Sequence, residues 1–159
     1  MKLMLMRHAE AEDGSPDPDR QLTDFGRATS YAMASFAIKT AAMTVSQIWC
    51  SPYKRARETS EPFRELLGDS TTFVIKDWLK PEGNPDKILT EIRNVTDSVL
   101  IIGHNPLLAA LVGKLIGQSE SGLTGFRKGA LFIFKRNPRL RTGFRLEGYI
   151  PPSAIGKRK

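Results

Sequence analysis

Short apolar runs alternating with longer segments of helical period constrain this chain most, because each run suits one strand and each interval has room for a crossover helix. The runs are Lys2 to Met6, Gln47 to Cys50, Thr72 to Ile75, Val99 to Ile102, Ala130 to Lys135 and Phe144 to Gly148. Between them the spacing predicts a helix over Asp24 to Thr40, capped by Thr23, with Phe25, Ala28, Ala32, Phe36 and Ala37 as its apolar stripe. A second helix is expected over Glu58 to Leu67, begun near Lys54 and stopped by Gly68. Ile88, Leu89 and Ile92 mark a third, and a fourth runs from Leu107 to Ile116 and stops at Gly117. The pattern is that of an α/β fold with a mostly parallel central sheet. With 159 residues the chain has the size of one domain, expected over 1–150, and 151–159 is expected to be a peripheral basic tail.

Several function classes recede at once. No segment is long enough to span a bilayer, and the four-residue apolar run Leu3 to Met6 before Arg7 is too short for the core of a signal peptide. One cysteine, Cys50, excludes an internal disulfide framework and a cysteine-rich metal site, which fits a reducing compartment; a cytoplasmic location is expected. The net charge of +7 favours anionic partners. Many of the cations lie between Lys135 and Arg145 and in Lys157, Arg158 and Lys159, and these are read as a solvated loop and tail rather than a nucleic-acid patch.

Three polar clusters follow immediately after three of the strands: Arg7-His8-Ala9-Glu10, Ser51-Pro52-Tyr53-Lys54-Arg55-Ala56 and Gly103-His104-Asn105-Pro106. Ligands of open α/β sheets gather at such carboxyl ends. The chain has two histidines, and both end an apolar strand. A phosphoryl group in transfer needs an in-line nucleophile and cations around its equatorial oxygens. A neutral imidazole offers the first, and the planar forks of Arg7 and Arg55 suit the second. Neither histidine belongs to a cluster with metal-ligand spacing, so no metal and no cofactor is expected.

These residues resemble the histidine phosphatase superfamily, the phosphoglycerate mutase-like fold. The Arg7-His8 pair is similar to its defining motif, Ser51 to Thr59 to its Ser-Pro-x-x-Arg-Ala-x-x-Thr segment, and Gly103 to Pro106 to its second histidine turn. Arg20-Gln21-Leu22-Thr23-Asp24-Phe25-Gly26 also resembles the Arg-Pro-Leu-Thr-x-x-Gly stretch of the small bacterial phosphohistidine phosphatases of the SixA type. The resemblance implies a three-layer αβα sandwich. It further implies His8 as the phosphorylated nucleophile, with Arg7, Arg55 and His104 around the phosphate and Arg20 as an addition. Ala9 stands where the family often has Gly, and Arg57 is read as a surface residue. Glu82 is the acid candidate in the short interval from Trp78 to Ile88, with Glu10 and Glu12 as rivals by closeness to His8.

The expected substrate is a phosphorylated protein, through its phosphohistidine, or a small phosphate ester. A phosphoramidate to imidazole breaks without demanding a strong acid, which favours the former. The alternatives are a broad phosphomonoesterase of the same superfamily and a non-catalytic phosphate- or nucleic-acid-binding module. A cysteine phosphatase needs Arg six positions beyond its Cys; from Cys50 that position is Ala56, so Cys50 is read as a buried strand residue.

Overall fold

Apolar residues occupy both faces of the first and fourth runs, and a strand buried on both sides belongs in the middle of a layered sheet. The computed structural model, which describes residues 1–118 and 126–155, places them there. Its strands are β1 (Lys2–Arg7), β2 (Gln47–Cys50), β3 (Thr72–Ile75), β4 (Val99–Gly103), β5 (Leu131–Arg136) and β6 (Phe144–Ile150). They form one sheet in the order β3-β2-β4-β1-β5-β6, parallel from β3 to β1 and antiparallel at β5 and β6.

The helices are α1 (Asp24–Ser35), α2 (Lys54–Leu67), α3 (Pro85–Arg93) and α4 (Leu107–Ile116). Alternate strand residues feed two cores. Met4, Met6, Ile48, Cys50, Leu100 and Ile102 pack with Met33 and Ala34 of α1 and Phe63 of α2. Leu3, Leu5, Trp49, Val99 and Ile101 pack on the other face with Ile88 and Ile92 of α3 and Leu108 and Leu111 of α4. The result is the expected αβα sandwich.

The stripe read on the first helix needs correcting. Phe25 and Ala28 are exposed and Ala32 and Phe36 only half-buried, while Gly26, Ser30, Met33, Ala34 and Ala37 face inward. The cause is Gly26: a Cβ there would lie 2.0 Å from the carbonyl oxygen of Glu10, so the helix start presses bare backbone on the loop after β1 and turns Phe25 out. Thr23 caps the helix as expected, its hydroxyl accepting from the Gly26 N–H at 2.9 Å. The last turn of the stretch, Phe36–Thr40, is a π-helix.

The basic stretch from Lys135 to Arg145 is the end of β5, a turn and the start of β6. In the tail, Pro152–Ile155 makes a short turn whose Ile155 packs on the core beside α1. Lys157, Arg158 and Lys159 lie outside the described residues. No described helix is long and apolar enough to cross a membrane.

Candidate active site

Sheet register brings the two histidines together. Arg7 of β1 is paired with Gly103 of β4, and the next residue on each strand is a histidine. The His8 N–H donates to the Gly103 carbonyl at 2.9 Å, and the two imidazole centroids stand 5.0 Å apart. On the other side of β4, Cys50 of β2 pairs with Ile102, and the Ser51 N–H donates to the Ile102 carbonyl. All three clusters thus meet at the carboxyl end of the parallel strands, where α2 and α4 begin. Helix N-termini add positive potential there, which suits an anion.

His8 is buried. Its Nδ1–H donates to the Ala9 carbonyl at 2.7 Å, which leaves Nε2 with a lone pair that accepts from Arg55 Nε–H at 3.3 Å. Burial, reinforced by Arg55, Arg7 and Lys128, outweighs the Ala9 bond and pushes its pKa down to about 3, so the ring is neutral at ordinary pH. His104 is likewise pushed down to about 3, by burial first and then by His8 and Arg55.

Arg55, in the first turn of α2, is 4% exposed. Beyond His8 it donates through Nη1 to the Asp17 main-chain oxygen at 2.8 Å and through Nη2 to Asp17 Oδ2 at 3.1 Å, and it lies over the Tyr53 ring. Arg7 donates through Nη1 to the Phe126 carbonyl at 2.8 Å, and Asn105 Nδ2 donates to the same oxygen. Thr59, one turn beyond Arg55, accepts from the Ala9 N–H at 3.1 Å and ties the loop after His8 to α2. The Ala9 methyl, where the family often has Gly, packs with Ala11 and Leu22.

Buried polar atoms without partners are informative because such atoms are nearly always satisfied. Among the described residues Arg7 Nε, His104 Nδ1, Asn105 Oδ1 and, on α1, Ser30 Oγ are in this state, and the first three belong to the His8 and His104 turns. A tetrahedral oxyanion would offer an acceptor to Arg7 Nε–H and, in the tautomer protonated at Nδ1, to His104.

Arg20 donates through Nε to the Glu12 carbonyl and through Nη1 to Asp17 Oδ1, so it reaches the cluster by way of Asp17. Arg57 is exposed. Glu10 accepts from the Thr23 hydroxyl, which commits it to the start of α1, and Glu12 is exposed. Glu82 is an exposed residue of the turn before α3. That turn lies beside the second histidine loop: a Cβ on Gly83 would stand 2.9 Å from Leu107 Cδ2. Cys50 is fully buried in β2, and burial pushes its thiol up to about 12, which makes it a poor nucleophile.

Sequence reasoning assigned no role to Asp17, Ser51 or the Phe126 carbonyl. Ser51 opens the Ser51 to Thr59 segment, and the one local signal for Asp17 is its place three positions before Arg20. Nothing local marks Phe126, which is 119 positions from Arg7.

The family model of the histidine phosphatase superfamily (branch 1) matches residues 3–80. The phosphohistidine phosphatase SixA of Escherichia coli K12 is 30% identical over 120 residues, covering 72% of this chain and 74% of that protein. The chain belongs to the histidine phosphatase superfamily. Within it, a SixA homologue of Haemophilus influenzae is 29% identical over 129 residues, covering 74% of this chain and 79% of the relative. Among solved structures, the protein histidine phosphatase SixA complexed with tungstate matches this superfamily member with a TM-score of 0.85 and 24% identity, over 98% of this chain and all of that one.

Proposed function

We propose that the protein is a phosphohistidine phosphatase, a hydrolase that takes the phosphoryl group from a protein histidine through a covalent intermediate on His8. The observation that carries this reading is the state of His8: neutral, with Nδ1 spent on Ala9 and the Nε2 lone pair turned toward Arg55. The relatives named SixA support the substrate class, and the tungstate held by one of them is a phosphate-like oxyanion.

The chemistry runs in two displacements. His8 Nε2 attacks phosphorus; the new N–P bond forms as the bond to the substrate imidazole breaks, and that imidazole leaves with the electron pair and takes up a proton. Water then attacks phospho-His8, the N–P electron pair returns to Nε2, and inorganic phosphate departs while a proton passes to solvent. Arg7, Arg55 and the Nδ1 of His104 are placed in this reading around the equatorial oxygens. Glu82 serves as proton donor where the leaving group is an alkoxide, a need the imidazole scarcely has.

Brief incubation with a radiolabelled phosphohistidine protein tests the reading. Acid-labile, base-stable label is expected on wild type and none on His8→Ala. Label that survives acid, or that His8→Ala carries equally, overturns the mechanism. Turnover of phosphate esters with none of the phosphohistidine protein overturns the substrate assignment alone.

A further inference from the structure

A guanidinium clamps a phosphoryl group well only when its fork is aimed before the substrate arrives, because a long flexible side chain otherwise loses entropy on binding. Arg55 is held at three points. Its Nε–H faces His8 Nε2 at 3.3 Å, and both terminal nitrogens are taken by Asp17, Nη1 by the main-chain oxygen and Nη2 by Oδ2. The second carboxylate oxygen, Oδ1, accepts from Arg20 Nη1 at 3.0 Å, and Arg20 is itself anchored through Nε on the Glu12 carbonyl at 2.7 Å. Asp17 therefore links two arginines, with one oxygen for each. Its carboxyl is held below the usual carboxylate range, by Arg20 first and then by Arg55, so it is an anion at neutral pH.

We propose that Asp17 is the positioning residue of the phosphate clamp: it takes the terminal edge of Arg55, leaving the Nε–H turned on the phosphoryl group at His8, and it offsets the charge of an arginine-lined pocket. This rests on the reading of His8 as the phosphoryl acceptor. Asp17 touches neither the substrate nor the reacting atoms; it acts through Arg55.

Two consequences pull the kinetic constants in different directions. Without the carboxylate, Arg55 keeps its charge and gains freedom, so a ground-state anion is held more tightly by a pocket that has lost its internal counter-charge. The Nε–H is no longer aimed, so the transition state loses part of its stabilisation. A role limited to bracing the loop from Glu12 to Gln21 would do the opposite to affinity, since a loosened pocket binds anions less well.

Steady-state kinetics on nitrophenyl phosphate and on a phosphohistidine protein, with inhibition by inorganic phosphate, decide the matter. Asp17→Asn is expected to lower kcat about tenfold or more and to lower both KM and the phosphate inhibition constant severalfold. Asp17→Ser, neutral and suited to the same turn, provides the same comparison should the asparagine variant fold poorly. Asp17→Glu keeps the charge and should retain the wild-type inhibition constant. An unchanged kcat in both neutral variants, or a lowered kcat with weaker phosphate inhibition, overturns the proposal. Wild-type protein that turns over neither substrate would overturn the phosphatase reading instead.

Discussion

The hydroxyl of Ser51 lies 2.7 Å from Nε2 of His104 and also accepts the Tyr53 main-chain N–H at 3.3 Å. That hydroxyl has one hydrogen to give and two lone pairs, so when it donates to Nε2 the His104 proton resides on Nδ1, the tautomer that the proposed phosphate clamp requires. That nitrogen is buried and has no partner among the described residues. In that tautomer Nδ1–H is a donor free for a ligand oxygen, and His104 carries no charge.

Ser51→Ala should release the tautomer. Nitrogen chemical shifts of His104 are expected to move from a single Nδ1–H form to a mixture, with kcat falling about tenfold, the lower end of what loss of an orienting partner costs at comparable sites. A variant with the wild-type tautomer and wild-type turnover would show that the proton is placed by something else.

Arg55→Ala and His104→Ala are each expected to cost roughly a hundredfold to a thousandfold in kcat, the usual effect of removing one preorganised donor. Circular dichroism must show both variants folded. Near-normal turnover in either would remove that residue from the clamp.

Acid should destabilise the fold in a defined window. Both histidines have native pKa values of about 3 against an ordinary 6.5, so between these limits the unfolded chain binds protons that the native state does not. Their contribution is full above pH 6.5 and is lost as pH falls toward 3. From about pH 7.5 to about pH 5 each histidine should cost about 2 kcal/mol, measurable by urea unfolding. His104→Gln should lose about half as much as wild type, and a wild type equally stable at both pH values would contradict the neutral, buried assignment.

Glu82→Gln should slow hydrolysis of an alkyl phosphate far more than that of nitrophenyl phosphate or phosphohistidine, because only the alkoxide leaves badly without a proton. Pre-steady-state rates of enzyme phosphorylation make the comparison, since slow hydrolysis of phospho-His8 would mask it in turnover. Equal losses on all three substrates would point to positioning. No loss on any would return attention to Glu10 and Glu12.

Gly26→Ala tests why the Arg20 to Gly26 stretch ends as it does. The added methyl would meet the Glu10 carbonyl oxygen at 2.0 Å, and the atom it meets is backbone, with no flexible side chain to yield. Overpacking of this kind costs about 1–3 kcal/mol. Thermal unfolding indistinguishable from wild type would mean that α1 can shift away from the loop.

What the sequence determined by itself was whatever is encoded locally. Two-sided apolar runs announce buried strands, Thr23 and Gly117 mark helix ends, and His8, Arg55 and His104 stand out because each closely follows a strand in a chain with two histidines. Tertiary structure alone decided which of these groups meet and in what state. The pairing of Arg7 with Gly103 is a matter of strand register across 96 positions, and register is set by how the two sheet faces fill. The outward turn of Phe25 follows from a close backbone approach that periodicity does not record. The coupling of Asp17 to Arg55, the Phe126 carbonyl on Arg7 and the unpartnered Nδ1 of His104 arise between segments far apart in the chain. Burial, which neutralises both imidazoles, exists only once the layers close over them.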